Sequence, residues 1–95
     1  MFSVPNINCE VTFKGGCENW ENILIKAYDT HPHTVQECYA LCSKTDYCNM
    51  FEITHGSRNC ALFKMGCKKG SNQHNLYSMQ TCSGIKYELM FKIKT

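Results

Sequence analysis

The chain has 95 residues, eight cysteines and a formal net charge of +2. That length makes one domain, too small to rest on a hydrophobic core alone. The cysteine content marks a disulfide scaffold of an oxidising compartment (secreted, cell-surface or a secretory organelle), and with so modest a charge it excludes a nucleic-acid partner.

The opening residues, MFSVPNIN, lack the basic start, apolar run and small-residue cleavage site of a signal peptide. No apolar run is long enough to span a membrane. The expectation is an excised domain or mature fragment, with residues 1–95 forming a single module of a larger parent. Residues 22–28, NILIKAY, are rich in β-formers and read as a strand. His31-Pro32-His33 resists helix and leads into the next element; two histidines on a proline-bearing loop are not expected to hold a metal.

Thr34 followed by Glu37 fits a capping box, so a helix is expected from Val35 to about Lys44. Val35, Cys38, Tyr39, Leu41 and Cys42 share one face of it. Cys38 and Cys42, at i and i+4, point the same way, and SKTDY is enough chain for Cys48 to return beside Cys42. Cys38 is then left to reach a different strand. The spacing staples a helix to a sheet at two points.

Residues 48–54, CNMFEIT, and 59–64, NCALFK, read as strands of a hairpin around HGSR. If Cys48 and Cys60 both face the helix, Thr54 lies opposite Cys60 across a five-residue loop, His55 to Asn59. A two-residue turn at Gly56-Ser57 puts the two cysteines on opposite faces instead. Next come a basic, glycine-flanked loop at 66–73, GCKKGSNQ, and a further strand at 75–82, NLYSMQTC. The clearest alternation is IKYELMFKI, 85–93, with Ile85, Tyr87, Leu89, Phe91 and Ile93 on one face.

A helix carrying Cys-x3-Cys (Cys38, Cys42), a third cysteine that opens a strand with a nearby phenylalanine (Cys48, Phe51), and a Cys-x-Leu strand from Cys60 together resemble a PAN/apple domain. The resemblance covers residues 9–82, with 83–95 left as an extra C-terminal strand. It implies an α+β fold with one helix packed on a small antiparallel sheet. It also implies the disulfides Cys38–Cys60, Cys42–Cys48 and an outer pair, Cys9–Cys82, which leaves Cys17 and Cys67 as a fourth bridge outside the family's minimal set.

PAN/apple domains are binding modules of growth factors, contact-phase coagulation zymogens, leech and tick anti-haemostatic proteins and apicomplexan microneme adhesins, some of which bind galactose-type glycans. The resemblance therefore implies an extracellular adhesion module that recognises a carbohydrate or protein on a cell surface. Its alternatives are an anti-haemostatic protein that binds collagen or a clotting factor, and a structural spacer. No cofactor is expected. Nor is enzymatic activity, since His31, His33, His55 and His74 accompany no catalytic motif and an even cysteine count leaves no free nucleophile.

Charge is unevenly distributed. Residues 1–56 hold three basic and seven acidic side chains, a net −4, and residues 57–95 hold seven basic and one acidic, a net +6. Side chains suited to sugars or anionic glycans are Tyr47, His55, Arg58, Lys64, Lys68, Lys69, His74 and Tyr77. The expected site is the basic half, around the 55–58 turn and the 66–74 loop. Tyr77 also fits the core, and Trp20, the only tryptophan, is either a half-buried edge residue or an exposed contact residue among acidic neighbours.

Overall fold

A computed structural model describes residues 7–83. They form β1 (Asn8–Lys14), α1 (Trp20–Ile23), β2 (Leu24–Tyr28), α2 (Val35–Ser43), β3 (Met50–Ile53), β4 (Cys60–Phe63) and β5 (Asn75–Ser83). The architecture is α+β, with one five-stranded antiparallel sheet in the order β1-β5-β3-β4-β2 and α2 packed on β3 and β4. The expected strand at 22–28 begins only at Leu24, because residues 20–23 make the short turn of α1. The expected strand at 85–93, and the 83–95 extension beyond Ser83, lie outside the described residues.

The start of α2 follows from its sequence. Thr34 Oγ1 accepts the Glu37 backbone N–H at 3.1 Å, and the Glu37 carboxylate accepts the Thr34 N–H at 2.8 Å. That second bond holds the Glu37 carboxyl below its ordinary value. The face expected to pack does so, with Cys38 and Cys42 fully buried.

The four disulfides are Cys9–Cys82, Cys38–Cys60 and Cys42–Cys48, the three pairs expected from the resemblance, and Cys17–Cys67, the pair those three leave over. All eight cysteines are consumed, which fits an oxidising environment.

The hairpin register differs from the expected one. Cys60 lies opposite Ile53, not Thr54, and Glu52 lies opposite Ala61. The turn is the cause. The Thr54 N–H donates to the Asn59 carbonyl at 2.9 Å and the Arg58 N–H to the Thr54 carbonyl at 2.9 Å, so Thr54 and Asn59 close a loop of residues 55–58. Arg58 takes a left-handed φ of 58°, and the Thr54 hydroxyl accepts the Asn59 N–H at 2.7 Å. Both bridges to α2 still form, because Cys48 lies before β3 and escapes its alternation.

This one-residue difference decides where Glu52 goes. In the expected register Glu52 shares the helix face with Cys60; in the observed one it points to the opposite face. Phe51, Ile53, Cys60, Leu62 and Tyr77 pack with Cys38 and Cys42 on the helix side. On the other side Ala61, Phe63 and Leu76 pack with Cys17 and Ile23. Phe51, Phe63, Leu62 and Leu76 are the largest fully buried hydrocarbon side chains, each stabilising by roughly 1.5–3 kcal/mol.

β1 pairs irregularly with β5. Cys9 faces Cys82 and Val11 faces Tyr77, so residues 78–81 bulge opposite Glu10. Hydroxyls satisfy the interrupted ladder: Thr12 Oγ1 accepts the Ser78 N–H at 2.9 Å, and Thr81 donates to the Glu10 carbonyl at 3.1 Å.

Candidate functional site

Across four neighbouring strands, Ala27, Ala61, Glu52 and Leu76 form one row on the face away from α2. Two alanines beside Glu52 leave space that larger side chains would fill. A cavity of about 270 Å³ opens there. Along the strands it runs from Leu24 and Phe63 to Thr54 and Asn59 at the base of the hairpin turn, with Asp29 just beyond β2.

Glu52 is only 7% exposed, and its carboxyl has no hydrogen-bond partner among the described residues. Burial pushes its pKa up to about 7. A buried carboxyl without a partner is costly to keep. It opens onto the cavity, which makes it the most informative group on this face.

Two loops complete the wall. Residues 15–19 and 66–72 are zipped together by the Cys17–Cys67 disulfide and by backbone bonds from Glu18 to Lys68 (2.7 Å), Gly70 to Gly16 (2.8 Å) and Asn72 to Gly15 (3.0 Å). The Asn19 side chain bridges them, donating to the Gly66 carbonyl and accepting the Lys68 N–H, each at 2.9 Å. This places Trp20, half-exposed, and Asn72 against the cavity. Both also line an adjoining hollow of about 380 Å³ with Glu18 and Lys69.

The zipper depends on Gly15. Its φ is +144°, and a Cβ there would overlap the Gly70 carbonyl oxygen. Gly15→Ala is therefore expected to cost about 1–3 kcal/mol through backbone strain, with the clash added. Urea unfolding of the oxidised variant checks this, and a stability equal to that of the parent would contradict it.

His74 ends the 66–74 loop and lines the cavity. Its Nδ1 accepts the His55 backbone N–H at 2.9 Å, so the neutral ring carries its proton on Nε2. Burial first, and the neighbouring His55 second, hold its pKa below the ordinary histidine value.

The side chains nominated from sequence scatter. The 55–58 turn and the 66–74 loop do flank the cavity, but only His74 lines it, while Lys69 lines the adjoining hollow. His55, Arg58, Lys64 and Lys68 are exposed and line neither. Tyr77 sits in the helix-side core, 7% exposed, with its ring stacked on Phe51 at 5.0 Å. This is the core placement that the sequence also allowed for it, and β5 alternation turns it toward α2. His31 and His33 stack at 4.4 Å beside the start of α2, away from the cavity.

Sequence reasoning did not single out Glu52, Asp29, Asn59 or Asn72. The available signal was an acidic residue inside the apolar run MFEI, opposite an alanine in CALF once the register is known.

Family models, curated proteins and solved structures were each compared with the chain, and none matches it.

Proposed function

We propose that this chain is an extracellular binding module of the PAN/apple type, not an enzyme, and that its ligand enters the cavity on the helix-free face of the sheet. The observation that carries this reading is Glu52, a buried carboxyl without a partner at an open cavity beside a half-exposed tryptophan. A concave site with apolar walls and a few polar groups is the usual form of a recognition pocket. The disulfide between the two wall loops supports it further, because a pre-ordered wall loses little entropy on binding. Among the described residues no lysine or arginine lines the cavity, which disfavours a sulfated or sialylated glycan there. The role is adhesion to a cell-surface ligand, alone or as one module of an adhesin array.

Trp20 is the only tryptophan and lines the cavity, so its emission reports occupancy directly. The test measures binding of the oxidised domain to cultured cells. Trp20→Ala is expected to weaken binding tenfold or more, while Lys68→Ala/Lys69→Ala leaves it within about twofold, as expected of surface lysines outside the site. The opposite result would move the site to the basic loop.

A further inference from the structure

We infer, resting on the cavity as the ligand site, that it receives the end of a lysine or arginine side chain from a partner protein. The cation lies against Glu52 and Asp29, and the aliphatic stem runs along Ala27, Ala61 and Phe63 beside Trp20.

Charge comes first. Besides Glu52, the titratable groups among the described residues that line the cavity are Asp29 and His74. Burial first, and the neighbouring His55 second, lower the His74 pKa, so at pH 8 its ring is uncharged. At that pH the described residues of the lining therefore offer carboxylates and no cation. An ionised Glu52 has no protein group to offset its burial, only the solvent that the cavity admits, and a cation lowers that penalty where a neutral ligand lowers it little.

Hydrogen-bonding capacity comes second. The Thr54 hydroxyl is already engaged with the Asn59 N–H at 2.7 Å and with Ser57 at 2.7 Å. Asn72 Oδ1 accepts the His74 N–H at 2.8 Å. With these two oxygens committed, the strongest acceptors left on the described lining are the Glu52 and Asp29 carboxyls, which favours a ligand whose polar end is all donor. A basic side chain has its polar atoms only at the tip. Its methylene stem matches the alanine and phenylalanine walls, and its cation matches both the carboxyls and the face of a tryptophan.

The test is an amide-resonance titration of the oxidised chain with three probes: Nα-acetyl-lysine amide, its uncharged Nα,Nε-diacetyl counterpart, and a methyl hexoside. The lysine amide is expected to shift the resonances of Ala27, Glu52, Ala61 and the Trp20 indole, and the diacetyl compound to shift none of them. Affinity for the lysine amide should fall about 100-fold from pH 8 to pH 5 as Glu52 takes up its proton. Glu52→Gln should weaken binding at pH 8 tenfold or more and flatten most of that pH dependence. Ala27→Leu, at an exposed position, should block the cavity and leave the fold intact. Equal binding of the diacetyl compound, or a pH-independent affinity, would overturn recognition of a cation. Hexoside binding at the same resonances without the lysine amide would overturn it too, while leaving the cavity as the ligand site. If neither probe moves these resonances and Trp20→Ala still binds cells like the parent, both readings fall.

Discussion

At pH 8 the Glu52→Gln domain is expected to melt higher than the parent, and at pH 4 the two are expected to melt together. Burial raises the Glu52 carboxyl from its ordinary value of 4.5 to about 7. Between those values the folded protein still holds a proton that the unfolded chain has released. Folded stability therefore falls as pH rises through that window, and below it the residue contributes no penalty. At about 1.4 kcal/mol per pH unit, the full penalty above pH 7 is up to about 3 kcal/mol. Glutamine cannot ionise, so it removes this term, but its amide has no partner either and returns part of the gain. A net gain of 1–2 kcal/mol in a domain of this size corresponds to a melting-temperature rise of roughly 5–15 °C. Circular dichroism melts at both pH values check it; coincident melting at pH 8 would refute the uncompensated burial of Glu52. The variant is then more stable and yet expected to bind less, so its loss of binding could not be blamed on unfolding.

What was legible in the sequence was local. The Thr34–Glu37 capping box and the i, i+4 cysteines mark α2 within a few residues, because both depend on contacts one turn apart. The hairpin strands were legible from their β-formers, but their register was not. It rests on Arg58 accepting a left-handed φ and on two backbone bonds between Thr54 and its partners, and Gly56 alone announces a turn without placing it. β1 carries the alternation of a strand, Cys9, Val11 and Phe13 against Glu10, Thr12 and Lys14, but nothing local announces its irregular pairing with β5, which rests on the bulge at residues 78–81. The site was the least legible part. Asp29 and Glu52 belong to the acidic half of the chain, yet the sheet sets them beside His74 and Asn72 of the basic half. Charge counted along the sequence thus says little about charge around the cavity.

Breaking Cys9–Cys82 is expected to cost more stability than breaking Cys42–Cys48. The first bridge joins residues 73 apart and the second residues 6 apart. In the chain-entropy view a cross-link acts by restricting the unfolded chain, contributing about 4 kcal/mol for the long loop and about 2 kcal/mol for the short one. The folded state points the same way. Cys9 and Cys82 tie β1 to β5 on the far side of the bulge at residues 78–81, where hydroxyl bonds replace the regular ladder. The Cys42–Cys48 loop is also held by backbone bonds from Thr45 to Cys42 (3.0 Å) and from Cys48 to Thr45 (3.2 Å). Against this, Cys42 is 1% exposed, so its truncation to alanine leaves a small void costing about 1 kcal/mol and narrows the gap. Urea unfolding of Cys9→Ala/Cys82→Ala and Cys42→Ala/Cys48→Ala decides the order, and the long-loop variant should also show the larger rise in m-value as its unfolded chain expands. A greater loss in the short-loop variant would show that core packing around Cys42, not loop closure, dominates. Neither bridge lines the cavity, so the folded fraction of each variant should retain ligand affinity. Breaking Cys17–Cys67, which ties the two wall loops that carry Trp20 and Asn72, should weaken it.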